Sequence, residues 1–192
     1  MNEDELLNVC MPWYVDYKKW VSNRNNTIFK DPIKYYCGFG YKAINRNCLE
    51  SDDHHTIEYR RLLKECADDL EYWLKKAPIL EKDIVLYRVV DDVEFKQLRK
   101  LKKINYSSFL STTIISNRDV LKKIFYNEYV FEIRVPKGTI CAYIEPLSST
   151  GQKREKEVLF PRNTVLSLTS KCSSFFCRNE YSKVAEPPNP TK

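Results

Sequence analysis

Two glutamates stand two residues apart in Lys153-Arg154-Glu155-Lys156-Glu157, and the apolar run Val158-Leu159-Phe160-Pro161 follows at once. Side chains on a strand alternate between its faces, so a strand over 155–160 puts Glu155 and Glu157 on one face and Lys156 on the other. A pair of carboxylates at the lip of a core strand can move protons or stabilise a cation. A solvated hairpin edge of mixed charge is the plain alternative. Two further polar islands interrupt apolar strands. Arg88 sits inside Leu86-Tyr87-Arg88-Val89-Val90, where a charge is costly unless it is paired. It is either salt-bridged at a sheet edge or aimed at an anion such as a phosphate. Ser111-Thr112-Thr113 follows Phe109-Leu110, and hydroxyls at a strand end are commonly turn-formers.

The elements that must carry these islands read as helices first and strands second. Trp13, Tyr14, Tyr17, Trp20 and Val21 recur at spacings of three and four, which predicts a helix with an aromatic face, broken at Asn23 to Asn26. Asp31-Pro32 is an N-cap followed by proline at the first helical position. The segment it opens runs through Ile33, Tyr36, Cys37, Tyr41, Ile44 and Cys48, and Gly38 and Gly40 predict a bend within it. Residues 55–76 give the clearest helix, with Leu62, Leu63, Cys66, Leu70, Trp73 and Leu74 on one stripe and Pro78 as its stop. From Ile79 the period changes. Strands are predicted over 83–90, 106–111, 129–135, 139–144, 155–160 and 164–168, with short helices over 93–101 and 117–125 between them. Phe175 to Cys177 reads as an edge strand. The fold class is therefore α+β, with N-terminal helices packed on a mainly antiparallel, mixed β-sandwich core. Residues 1–180 form one domain, and 181–192 form a polar, proline-rich disordered tail.

Composition bounds the partners. The chain has 192 residues, 43 % hydrophobic and 30 % charged, which places it with soluble globular domains. Its 32 basic and 26 acidic residues give a net charge of +6, interspersed rather than striped, so nucleic acid is not the expected partner. Seven cysteines without a C-x-x-C pair, and only His54 and His55, give no expected metal site; reduced thiols in a cytosolic setting are the simpler reading. Met1-Asn2-Glu3-Asp4-Glu5 is acidic, unlike the start of a secretory signal, and no apolar run approaches the ~20 residues of a membrane span. The expected setting is a cytosol, a host's included, and the expected state a monomer.

In their order, the three islands resemble the mono-ADP-ribosyltransferases of the Arg–Ser–Glu type, nearest to binary-toxin enzymatic subunits and small Rho-modifying exoenzymes. The matching stretches are Leu86-Tyr87-Arg88, Phe109-Leu110-Ser111-Thr112-Thr113 and Gly151-Gln152-Lys153-Arg154-Glu155-Lys156-Glu157-Val158-Leu159-Phe160-Pro161-Arg162, with Tyr41-Lys42-Ala43-Ile44-Asn45 similar to the family's Tyr-x-x-Ile-Asn helix. The resemblance covers roughly 30–170. It implies an ADP-ribosyltransferase fold and NAD as substrate, with no metal. It also implies transfer of ADP-ribose to an arginine of a target protein. Glu157 would face the cationic ribose, as a carboxylate does in glycoside hydrolysis. Ser111 would orient Glu157, and Glu155 would engage the acceptor guanidinium. Arg88 would hold the NAD phosphates, Val89 the nicotinamide amide through its backbone, and Tyr41 would pack on the nicotinamide end. Asn45 would face the phosphates, and Thr112 and Thr113 complete the Ser-Thr-Ser-like strand. The family's helix continues to a Leu-Arg pair; Cys48 and Leu49 occupy those places here, and Arg46 would substitute one turn earlier. The loop 146–154 would contact the target. An NAD glycohydrolase, and a weak relative acting by binding a partner, are the alternative readings.

Overall fold

In a computed structural model, which describes residues 1–25, 29–49, 56–125, 129–148, 155–168 and 176–179, helix α1 spans Glu3–Ser22. It starts well before its aromatic stripe because Asn2 and Glu5 form a capping box, each side chain taking the other's amide at 2.9 Å. Trp13, Tyr14 and Tyr17 are buried as the spacing predicts. Tyr17 meets Trp73 edge-on at 5.4 Å, and Trp13 donates from its indole to the Trp73 carbonyl at 2.9 Å. The Tyr17 hydroxyl donates to Asp31 and accepts the Ile33 amide at 3.0 Å. One aromatic residue of α1 thereby fixes the start of α2 (Pro32–Tyr35), which Asp31 caps.

The predicted bend at Gly38 and Gly40 is a π-helical turn, Tyr36–Gly40, followed by α3 (Tyr41–Cys48). Helix α4 (Ile57–Lys75) buries Leu63, Cys66, Leu70, Trp73 and Leu74 on one side, the amphipathic stripe that its sequence shows. The strand half follows as β1 (Ile84–Val90), α5 (Asp92–Leu101), β2 (Lys103–Tyr106), β3 (Leu110–Thr113), α6 (Arg118–Phe125), β4 (Tyr129–Val135), β5 (Ala142–Tyr143), a 3-10 turn at Glu145–Leu147, β6 (Glu157–Phe160), β7 (Thr164–Leu168) and β8 (Phe176–Asn179).

Among the described residues the eight strands join in the order β2-β7-β8-β4-β1-β3-β6-β5. Every neighbouring pair is antiparallel except β4 with β8, so the sheet is mixed. Helices before a mainly antiparallel sheet is the α+β class expected. Four details differ. The predicted strand over 139–144 shortens to the two-residue β5. The predicted strand over 106–111 is two strands, β2 and β3, on distant parts of the sheet. The predicted edge strand near 175–177 is β8, which lies inside the sheet between β7 and β4. The predicted strand over 155–160 begins only at Glu157, because Lys156 takes a left-handed conformation (φ 46°) that no continuous strand admits. The tail 181–192, His54, His55, and residues 149–154 of the loop before β6 lie outside the described residues.

Candidate active site

Strands β1, β3 and β6 are neighbours, and the three polar islands come together there. Register pairs Tyr87 with Thr113, and Ser111 with Leu159. Ser111 is thus diagonal to Glu157, a separation that a long side chain bridges. The Ser111 hydroxyl donates to Glu157 Oε1 at 2.5 Å. Thr112 and Thr113 are buried, and their hydroxyls donate to backbone carbonyls of the acid segment: Thr112 to Val158 at 2.8 Å and Thr113 to Glu155 at 2.5 Å. Both threonines pin the chain that carries the acids.

Arg88 is held by a partner that gave no signal at the sequence level. Its Nε donates to Glu94 Oε1 at 2.9 Å, and Nη2 reaches Glu94 Oε2 at 3.3 Å. Nη1 donates to the Ser111 carbonyl at 2.8 Å. Glu94 stands on α5, whose N-cap Asp91 accepts the Glu94 amide at 2.8 Å, and it also accepts the Tyr106 hydroxyl. The guanidinium therefore ties β1 to β3 and α5 at once. A guanidinium has five N–H donors, so part of the fork remains free of these three contacts.

Arg88 and Ser111 line a cleft of about 740 Å³. Its opposite wall is the π-helical turn and α3: Tyr36, Cys37, Phe39, Tyr41, Lys42 and Asn45. Asn45 donates to the Tyr36 hydroxyl at 3.2 Å, and its buried Oδ1 has no hydrogen-bond partner among the described residues. Phe39 is 98 % exposed at this edge. Val89, Phe109, Thr112, Thr113, Glu155 and Glu157 are also in the lining. Of the residues singled out from the sequence, Arg46 alone falls outside it. Arg46 is exposed on α3, whereas Lys42, one turn earlier, lines the cleft. Lys42 and Arg46 are four residues apart and share one side of α3, so what differs is position along the axis: Lys42 is in the turn that directly follows the π-helical wall of the cleft.

The turn that forms this wall depends on Gly40. A Cβ there would run into the Tyr35 ring and lie 2.7 Å from the Tyr35 carbonyl oxygen. Gly40→Ala is expected to cost about 1–3 kcal/mol in urea unfolding through this overpacking, and to weaken ligand binding in the cleft with it.

The electrostatics single out Glu157. Burial pushes its carboxyl up to about 7, and the charges of Glu155 and Glu145 push the same way. Hydrogen bonds from Ser111 and from the Cys37 thiol oppose the rise. Glu155 is also raised, by burial and then by Glu145. Glu145 itself is raised by burial, although it accepts the backbone amides of Glu157 and Lys156. A third acid thus stands behind the pair. Glu145 precedes Pro146 after an apolar strand, and nothing in its spacing announces this. Among the described residues no group of histidine, cysteine, aspartate or glutamate side chains is arranged to hold a metal ion, and no helix is long and apolar enough to cross a membrane.

The chain matches a known family. The model of the ADP-ribosyltransferase exoenzyme family matches residues 13–180, and the chain belongs to that family. Its fold recurs in Plx2a, an ADP-ribosyltransferase toxin from Paenibacillus larvae, at a TM-score of 0.59 and 18 % identity over 91 % of this chain and 96 % of that one. The ADP-ribosylating toxin BECa of a binary enterotoxin of C. perfringens, solved with NADH, gives 0.61 and 21 % over 90 % of this chain. This chain covers 47 % of BECa, about half its length. The Clostridium limosum C3 exoenzyme gives 0.58 and 15 %, covering 93 % of this chain and 94 % of that one. A comparison with curated protein sequences finds no match.

Proposed function

We propose that the protein transfers ADP-ribose from NAD to an arginine side chain of a target protein and releases nicotinamide. The observation that carries this is the Ser111–Glu157 hydrogen bond in a cleft that Glu155 and Arg88 also line. The cleft suits NAD on several counts. Its volume lies in the ~300–1,000 Å³ range of ligand sites. The remaining N–H groups of Arg88, with Lys42, suit phosphates. Tyr36, Tyr41 and Phe109 offer aromatic faces, and the unpartnered Asn45 Oδ1 suits a ligand donor.

Each acid then has a role. As the bond between nicotinamide and ribose breaks, nicotinamide leaves with the bonding pair and positive charge develops on the ribose. The Glu157 carboxylate stabilises that charge and accepts from the ribose 2′-hydroxyl. Glu155 binds the incoming guanidinium and takes its proton as the nitrogen attacks. A guanidinium is a poor nucleophile while charged, and an acid whose pKa is raised is a better base for it. The loop 146–154 is assigned to the target protein, and a cytosol, a host's included, is the proposed setting.

The test is incubation with labelled NAD and agmatine or a cell lysate. Label on agmatine or protein is expected; free ADP-ribose alone would favour an NAD glycohydrolase, and no turnover at all would sink the enzymatic reading. Glu155→Gln is expected to lower transfer to agmatine by about 10²-fold or more while part of the NAD hydrolysis survives. Retention of full transfer by this variant would remove Glu155 from its role.

A further inference from the structure

Residues 155 and 156 precede strand β6, yet the backbone of 155–157 is tied on every side. Glu155 gives its carbonyl to Thr113, Lys156 accepts the Ile114 amide at 3.3 Å, and Glu157 accepts the Ile144 amide at 3.0 Å. The Glu145 carboxylate takes the amides of Lys156 and Glu157. At the centre Lys156 sits at φ 46°, a region that disfavours any residue with a Cβ. Its side chain is anchored far away in sequence. Lys156 Nζ lies 2.5 Å from Glu3 Oε2, in the first turn of α1. Glu3 Oε1 accepts the Tyr143 hydroxyl at 2.6 Å, and the Tyr14 hydroxyl donates to the Tyr143 carbonyl at 2.5 Å. The first half of α1 is thus locked to β5 and to the acid segment together. The Lys156 hydrogen bond, then that of Tyr143, holds the Glu3 carboxyl below the usual range against the effect of its partial burial.

We propose that Glu3 is a positioning residue for the acid pair: its ion pair with Lys156, shared with the Tyr143 hydroxyl, holds the left-handed turn that brings Glu155 beside Glu157. The proposal rests on the transferase reading above. The two acids depend on this tie unequally. Glu157 is in β6 and takes the Ser111 hydroxyl, so the ladder keeps it in place. The Glu155 side chain has no hydrogen-bond partner among the described residues, and only the turn aims it. Without the tie, only the backbone hydrogen bonds hold Lys156 in the left-handed region, and Glu155, whose side chain has no such partner among the described residues, shifts first.

The expected result is a split between two activities of one enzyme. Glu3→Gln lowers kcat for transfer to agmatine by about tenfold, as displacement of a reacting group does, while hydrolysis of NAD and its KM change little. Lys156→Gln gives the same split, and Lys156→Arg, which keeps the charge, restores transfer. Hydrogen exchange of the amides over 155–160 is faster in Glu3→Gln than in the parent. Equal losses of transfer and hydrolysis, an unchanged ratio, or unchanged exchange each overturn the proposal. A parent protein that neither transfers nor hydrolyses overturns the enzymatic reading instead, and the exchange rates then decide the tie by themselves.

Discussion

Glu157→Gln is expected to lower NAD cleavage by about 10²–10³-fold, the usual cost of removing one preorganised group that faces developing charge. The substitution keeps the shape of the side chain and an oxygen for the Ser111 hydroxyl, so the loss reports charge. The same substitution is expected to make the protein more stable at alkaline pH. The sign follows from the raised pKa. Unfolded, the Glu157 carboxyl titrates near 4.5; folded, burial holds it at about 7. Below 4.5 both states carry the proton and there is no penalty. Between 4.5 and 7 the unfolded state releases it and the folded state keeps it, so stability falls as pH rises. Above 7 the folded state bears the buried charge at a cost of about 2–3 kcal/mol, the size of the shift less a discount for partial exposure. Thermal unfolding at two pH values checks this. The melting temperature of Glu157→Gln should exceed that of the parent at pH 8 and match it near pH 4.5. Equal melting temperatures at pH 8 would mean that the carboxylate is solvated. The rate of NAD cleavage by the parent should rise with pH through about 7, as the carboxylate forms. The acid proposed to serve the reaction is thus one whose charge the fold disfavours.

Much of this site was legible in the sequence, for a reason that strand periodicity does not supply. Alternation predicts that Glu155 and Glu157 share a face of one strand. Both acids do line one cleft, but Lys156 bends the chain between them and only Glu157 is in the strand. The sequence pattern carries the apolar run that anchors β6; it carries no mark of a positive φ at a lysine, which long-range ties from Glu3 and Glu145 accompany. Glu94 was hidden for a similar reason. Its position in the first turn of α5 suits a capping residue, and only the packing of α5 turns it toward Arg88. The exchange of Arg46 for Lys42 is a matter of position along α3 and not of phase: the two are four residues apart on one side of the helix, and the choice depends on where the π-helical turn delivers the first turn of α3 against the cleft. Strand β8 shows the limit on the fold side. Its length and composition suit an edge, and its place between β7 and β4 is set by non-local pairing.

Arg88→Ala is expected to be the most destabilising of these changes, by about 2–4 kcal/mol, because removing one partner of a largely buried ion pair strands the other, with some relief from solvent. Arg88 and Glu94 have side chains only 24 % and 20 % exposed, and Glu94 would keep just the Tyr106 hydroxyl and solvent. Loss of the Nη1 contact would also release the Ser111 carbonyl, at the strand that orients Glu157. Such a variant alone cannot separate a structural arginine from one that binds phosphate, since a partly unfolded cleft binds nothing. The double variant Arg88→Met with Glu94→Leu can. It removes both charges and keeps apolar volume, a replacement that is commonly neutral or stabilising for a buried pair. Urea unfolding should therefore show the double variant recovering most of the stability lost by Arg88→Ala, while titration with NAD shows affinity still reduced by at least about tenfold, the worth of one charge-assisted phosphate contact. Recovery of stability and affinity together would make Arg88 purely a strut between β1, β3 and α5. A double variant as unstable as the single one would show that the tie to Ser111, rather than the pair with Glu94, is what the fold requires of this arginine.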